Sequence, residues 1–168
     1  MEFGVYNAVY LIFFRSFKQE YYLLEALSKK DFSSAEQNRN ALLQISIEGM
    51  SKMDTLKAFH NDRSIISACK RSLEFYRTEA KDKIGIEIDY FLKQENYNKI
   101  NQVYNTKDRM LHSKEEVDQY NKAASELNNA AKKFAAVNNS LNQMRETTIN
   151  NWNNMVQNYL ERYIPKVN

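Results

Sequence analysis

The side chains best suited to catalysis or metal binding in this chain are two histidines and one cysteine. Neither His60 nor His112 follows a carboxylate three residues earlier, so the Glu-x-x-His pattern of di-iron bundles is absent. Both histidines fall in predicted loops, where the usual role is that of a solvated polar residue rather than a metal ligand. Cys69 lies on the apolar stripe of a predicted helix, which favours a small buried hydrophobe over a nucleophile.

Sequence motifs for other chemistries do not occur either. The chain has no glycine-rich phosphate loop, Gly-x-Ser-x-Gly nucleophile elbow or paired-cysteine motif. The adjacent carboxylates Glu115 and Glu116 stand in the first turn of a predicted helix, where acidic side chains interact favourably with the helix dipole. We therefore predict that the protein is not an enzyme and has no catalytic residues, metal ligands or cofactor-binding residues.

The composition of the chain indicates an all-α fold. Only three glycines and one proline occur in 168 residues, which leaves little material for hairpins and tight turns. The net charge of +3 is small, and acidic and basic residues are interspersed, which argues against a nucleic-acid partner. A single cysteine excludes an internal disulfide.

The longest predicted helix covers residues 113–164. Ser113 and Glu116 have the spacing of a capping box at its start, and Pro165 disfavours the helical conformation at Ile164 at its end. Such a helix would be about 75 Å long and would need partners along its length. Its apolar face follows helical spacing through Val117, Tyr120, Ala124, Leu127, Ala131, Phe134, Val137, Leu141, Met144, Thr148, Trp152, Met155 and Tyr159.

Three further helices are predicted before it. Their approximate bounds are residues 6–28, 34–58, and 62–94 or 62–104. Ser33 or Ser34 is the expected N-cap of the second helix, because each precedes a side chain, Glu36 or Gln37, that completes a capping box. Because the connections are short, neighbouring helices are expected to alternate in direction. The sequence therefore predicts a single domain over residues 1–168, an up-down-up-down four-helix bundle with very long third and fourth helices.

This arrangement has two consequences. The apolar start of the first helix, Val5 to Phe17, would lie beside Trp152 and the residues that follow it in the last helix. The mismatch in helix lengths predicts an overhang of about 30 Å, which would be an antiparallel coiled-coil arm if the third helix continues to Tyr104. Alternatively, residues 97–110 fold back as a short fifth helix.

Aromatic side chains supply the candidate partner surface. Most of them lie on the apolar stripes and are expected in the core, but an exposed aromatic cluster would mark a partner or ligand surface. The aromatic residues off the stripes are Tyr10, Phe14, Tyr22, Phe75 and Tyr90. The residues predicted to form a partner surface are Tyr97, Tyr104 and Tyr120 of the arm, together with Tyr10 and Phe14 of the first helix.

Four short segments occur in a recognisable order along nearly the whole chain. They are Tyr6-Asn7, Ala26-Leu27-Ser28-Lys29-Lys30-Asp31, Phe59 with Asn61-Asp62, and Leu73-Glu74-Phe75-Tyr76. In this order they resemble an uncharacterised family of bacterial surface proteins, often lipoprotein-like, built of long helices. The resemblance implies a secreted or surface-tethered helical protein.

The N-terminal residues bear on how such a protein would be tethered. Glu2 stands where a secretory signal would carry a basic residue, and the apolar run from Val5 to Phe14 is too short to span a bilayer. We therefore expect a soluble chain, attached to a membrane only through a lipid anchor that this chain lacks.

Three functional hypotheses follow. The first is a surface or extracytoplasmic structural module that binds an unknown protein partner through the arm or the helix surface. The second is a sensor-like four-helix bundle that binds a small molecule between helices. The third is a cytoplasmic coiled-coil adaptor or homodimer that associates through the face formed by Val5 to Phe14.

Overall fold

The computed structural model describes residues 4–163, and within this range the chain is all-helical, which confirms the predicted fold class. The helices are α1 (Gly4–Ser28), α2 (Phe32–Thr55), α3 (Ser64–Thr78), α4 (Ile84–Tyr104) and α5 (Lys114–Tyr163). A π-helical segment, Glu79–Lys83, joins α3 to α4, and a single 3₁₀ turn, Arg109–Leu111, precedes α5. The predicted helix end at Ile164 and Pro165 lies outside the described residues.

The third predicted helix does not end near residue 94. Helical structure continues through α4 to Tyr104, so residues 97–104 extend the helix and do not form a separate one. The last helix is 50 residues long.

The N-cap of α2 differs from the prediction. Asp31, not Ser33 or Ser34, is the capping residue, because its carboxylate accepts hydrogen bonds from the Ser34 amide at 3.0 Å and from the Ser34 hydroxyl at 2.7 Å. These two hydrogen bonds lower the pKa of Asp31. At the start of α5 the predicted capping box is confirmed: the Ser113 hydroxyl accepts from the Glu116 amide, and the Glu116 carboxylate accepts from the Ser113 amide.

The described chain divides into two compact units, one formed by residues 4–82 with 141–163 and the other by residues 83–140. In the first unit, Phe13 of α1 stacks on Trp152 of α5 with ring centroids 4.0 Å apart, and Tyr6 lies 6.4 Å from Tyr159. Residue numbers rise along α1 as they fall along α5, so these helix segments run antiparallel. The predicted contact between the start of α1 and the end of α5 is confirmed.

Buried side chains continue through the π-helical segment. Glu79 and Ala80 are both fully buried within it, and Tyr76 is fully buried in the α-helical turn just before it. A π turn is wider than an α-helical turn and is common at functional or strained positions of long helices.

The second unit is a helical hairpin of α4 and the first half of α5. Its contacts are ring stacking of Tyr90 on Phe134 at 4.4 Å, an ion pair between Lys93 and Glu126 at 2.8 Å, and a hydrogen bond between the Tyr97 and Tyr120 hydroxyls at 2.9 Å. The order of these pairs shows that the two segments run antiparallel.

Candidate functional site

The end of the helical hairpin brings three of the predicted partner-surface residues together. The Tyr104 ring lies between His112 and Tyr120, with centroid distances of 3.7 Å and 4.4 Å and nearly parallel planes for the histidine. Tyr120 in turn shares a 2.9 Å hydroxyl hydrogen bond with Tyr97. These four aromatic residues, Tyr97, Tyr104, His112 and Tyr120, are called the hairpin-end cluster below.

The predicted role of His112 as a solvated loop residue is wrong. Its side chain is 3% exposed, because the imidazole ring packs flat against Tyr104. Its Nδ1 atom has no hydrogen-bond partner and lies 3.9 Å from the Glu116 carboxylate, beyond hydrogen-bonding distance. A histidine in a loop can be buried in this way when a neighbouring helix supplies an aromatic face, and nothing in the local sequence signals such a contact.

Glu116 fixes the loop that carries His112. Its carboxylate accepts from the Lys107 ammonium and from the Ser113 amide, and these hydrogen bonds, with the lysine first, lower its pKa to about 2. Lys107 stands before the 3₁₀ turn and Ser113 after it, so a single carboxylate holds both sides of the hairpin loop.

Apolar side chains are exposed beside this fixed cluster. Val103 is 66% exposed, Met110 91% and Leu111 71%. A surface depression of about 300 Å³ next to the cluster is lined by Lys99, Ile100, Val103, Tyr104, His112, Glu116 and Gln119. The hairpin end therefore presents apolar groups to solvent on a support of packed rings.

Tyr10 and Phe14, the other two residues of the predicted surface, lie in the first unit. They are 38% and 42% exposed, and their rings stack 5.9 Å apart along α1. Phe17 and Tyr21 continue the same face and are 40% and 60% exposed. We call these four residues, Tyr10, Phe14, Phe17 and Tyr21, the α1 aromatic seam.

The wider set of off-stripe aromatic residues does not form one exposed patch. Phe75 is only 5% exposed and belongs to the core. Tyr90 is half-buried and stacks on Phe134 within the hairpin. Tyr22 is 40% exposed on α1, where the Lys18 ammonium lies 5.6 Å from its ring centroid.

A buried charge cluster in the first unit was not predicted. The Arg145 guanidinium donates to Glu20 at 2.6 Å and also to Glu79, whose side chains are 4% and 0% exposed. Burial, followed by the negative charge of Glu20, raises the pKa of the Glu79 carboxyl, and the nearby Arg145 opposes this rise. The second oxygen of Glu79, Oε2, has no hydrogen-bond partner, and neither does the buried Tyr76 hydroxyl.

Cys69 and His60 lie in different settings within the first unit. The Cys69 thiol is buried, as predicted, and burial raises its pKa to about 12. A thiol with such a pKa is protonated at neutral pH and is a poor nucleophile. His60 lies in the predicted loop, with its ring 4.1 Å from Phe59 and 5.9 Å from Tyr163.

Within residues 4–163, His, Cys, Asp and Glu side chains form no group of three or more that could hold a metal ion. None of the helices described for this chain combines the length and the apolar character needed to cross a bilayer.

Comparison of the chain with protein-family models, with curated proteins and with solved structures finds no match.

Proposed function

We propose that this chain is a non-catalytic helical module that binds another protein, and that the hairpin end carries the partner surface. The observation that carries the proposal is the exposure of Val103, Met110 and Leu111 next to the fixed hairpin-end cluster. Exposed apolar side chains that cluster rather than scatter mark interaction surfaces.

The packing under these side chains favours binding. Stacked rings and the Glu116 hydrogen bonds tie the loop to the two helices, which lowers the side-chain and loop entropy lost on association. Full burial of a side chain such as Leu111 contributes about 1.5–3 kcal/mol. Lys99 and Glu116 supply a polar rim, which is the usual anatomy of a protein interface.

The non-catalytic part of the proposal rests on the side chains with nucleophilic or acid-base chemistry. The Cys69 thiol is buried and protonated, and the His112 ring is stacked and almost fully covered. The paired carboxylates Glu20 and Glu79 share a guanidinium in the core, and their side chains are almost closed to solvent.

Location and arrangement belong to the same proposal. The resemblance to bacterial surface proteins supports a position at the cell surface or elsewhere outside the cytoplasm, which protease digestion of intact cells tests.

The antiparallel contacts within each unit support an up-down-up-down order of the four long helices. The coiled-coil overhang stays a prediction, tested by small-angle scattering, where it requires a maximum dimension of about 75 Å.

The experiment that tests the proposed function is selection from a displayed library of protein fragments. Fragments are selected on the wild-type chain alone, and the double variant Val103→Ser and Leu111→Ser is kept for the affinity measurements. Affinities of the selected fragments are then measured by calorimetry. The matched control is Asn129→Ser, which changes an exposed residue of the same hairpin away from its end.

The expected result is a fragment that binds the wild-type chain and the control equally and binds the double variant at least about tenfold more weakly, which corresponds to about 1.4 kcal/mol. The thermal unfolding of all three proteins should coincide, because both replaced side chains are exposed. Fragments that bind the double variant as tightly as the wild-type chain would contradict the assignment of this surface.

A second candidate function is supported by the depression at the hairpin end. Its volume of about 300 Å³ is that of the smallest ligand pockets, and His112 is one of the residues that line it. A thermal-shift screen with a metabolite library tests this alternative, and His112→Phe is the informative variant. A ligand that stabilises the wild-type chain but not the variant would favour the small-molecule role.

A further inference from the structure

The α1 aromatic seam has the same order of residues in both directions. Tyr10, Phe14, Phe17 and Tyr21 are spaced four, three and four residues apart, so the order Tyr-Phe-Phe-Tyr is unchanged when the helix is reversed. Such spacing keeps the four side chains within about 60° of arc around the helix. The seam is therefore a narrow face of aromatic residues, without a charged member, that is complementary to itself.

We propose that a second copy of this chain docks on the α1 aromatic seam through an antiparallel two-fold interface. In this arrangement Tyr10 of one copy faces Tyr21 of the other, and Phe14 faces Phe17. Spacing of four, three and four is that of the a and d positions of a coiled coil, and antiparallel pairing brings each a position opposite a d position. The same patch then serves both copies, as a two-fold interface requires. This inference goes beyond the proposed function, which concerns the hairpin end.

The exposed area is enough for a weak dimer. The four seam residues and the adjacent Leu11, which is 64% exposed, are partly covered by their own helix neighbours. Their exposed parts amount to about 500 Å² per copy, if a fully exposed side chain presents about 200 Å². Two copies would bury at most about 1,000 Å², which is the threshold for a biological interface and lies in the range of weak, transient complexes.

The seam is also ordered before any partner binds. Tyr10 stacks between Tyr6 and Phe14, with both centroid distances 5.9 Å. Phe17 stacks on Phe13 at 6.0 Å, and Phe13 is anchored against Trp152 in the core. Rings held in this way lose little freedom on docking, which lowers the entropic cost of association.

Sedimentation velocity of the full chain tests the proposal, over about 1 to 500 μM. We expect a wild-type dimer with a dissociation constant in the micromolar range. Phe14→Glu and Phe17→Lys should each be monomeric, because each places two charges in the interface. An equimolar mixture of these two variants should dimerise, because antiparallel pairing brings the new carboxylate opposite the new ammonium.

Two controls keep the result interpretable. Tyr22→Ser changes an aromatic residue of α1 that is equally exposed but lies off the seam, and this variant should dimerise like the wild-type chain. The double variant of Val103 and Leu111 should also dimerise, which separates this inference from the proposed function. Circular dichroism checks the fold of each variant. If Phe14→Glu or Phe17→Lys fails to fold, Tyr21→Ser is used in its place. Tyr21 is the most exposed seam residue, so its replacement disturbs the core least.

Three results would overturn the proposal. A wild-type chain that stays monomeric over the whole concentration range would exclude the dimer. A dimer that survives Phe14→Glu or Tyr21→Ser would place the interface elsewhere. A mixture of the two folded charge variants that fails to associate would exclude the antiparallel pairing.

Discussion

The buried cluster of Glu20, Glu79 and Arg145 allows a stability prediction that depends on protonation. The change is Arg145→Met, which keeps the length of the side chain but removes the cation that both carboxylates contact. Removing one partner from a buried ion pair costs about 3–5 kcal/mol, because the remaining charge is left uncompensated. The matched control is Arg77→Met, since Arg77 pairs with Glu74 at 2.6 Å on the surface, where such a pair contributes about 0.5 kcal/mol.

Glu79→Gln should cost far less than Arg145→Met. The pKa of Glu79 is raised by burial and by Glu20, so its carboxyl group retains a proton at neutral pH. Glutamine has the shape of a protonated carboxyl group and still accepts from Arg145, so we expect a loss below about 1 kcal/mol. Urea unfolding, followed by the fluorescence of Trp152, the single and buried tryptophan, measures all three variants.

The pH dependence has a definite sign. The ordinary carboxyl pKa is 4.5, and that of folded Glu79 is higher, so between these two values the folded state holds the extra proton. The free energy of unfolding should therefore fall as pH rises from about 5.5 to about 7.5, by at most about 2.7 kcal/mol from this group. Glu79→Gln should remove that contribution. A Glu79→Gln variant as unstable as Arg145→Met, with the wild-type pH dependence intact, would refute a protonated Glu79.

Three further stability predictions concern single contacts, each measured by urea unfolding. Gly49→Ala should lower the free energy of unfolding by about 1–2 kcal/mol, because an added Cβ would lie 3.0 Å from Leu73. This overpacking should exceed the gain in helix propensity. A stabilised variant would show that the Leu73 side chain can move aside. Asp31→Ala should lower the free energy of unfolding at neutral pH and lower it less in acid, because the pKa of Asp31 is lowered by its capping hydrogen bonds and the capping contribution is lost as the carboxylate is protonated. Tyr97→Phe should lower the free energy of unfolding by removing the hydrogen bond to Tyr120. An unchanged stability would show that water satisfies the Tyr120 hydroxyl equally well.

Helix positions were predictable where local sequence determines them. The Ser113 capping box sets the start of α5 within a few residues, and its hydrogen bonds are formed as predicted. The start of α2 was placed too late, because Ser33 and Ser34 complete formal capping boxes while the stronger acceptor, Asp31, stands just before them. Local patterns therefore gave the right helix and the wrong capping side chain.

Features that depend on contacts between distant residues were not predictable. Burial of His112 depends on the Tyr104 ring, which is supplied by another helix. One feature of the sequence does indicate the charge cluster. Glu20 falls on the same face of α1 as the buried Phe13 and Leu27, so its carboxylate is expected to be buried. A carboxylate at such a position needs a buried cation, but one sequence does not reveal that Arg145 supplies it.

The contacts of the hairpin-end cluster were predictable in part. Tyr97, Tyr104 and Tyr120 lie together because they occupy facing turns of two helices joined by a short loop, and their role as a partner surface stays a prediction. The exposed residues beside them, Met110 and Leu111, were missed because loop residues show no periodicity from which exposure could be read.

The most direct test of the proposed function is photo-cross-linking from the hairpin end in cells that produce the protein. A photoreactive phenylalanine analogue is introduced at Leu111, which is 71% exposed, and in a separate variant at the exposed Asn129. The proposed function requires one discrete cross-linked protein from position 111 and none from position 129. Equal cross-linking from both positions, or a product only from position 129, would contradict a partner surface at the hairpin end.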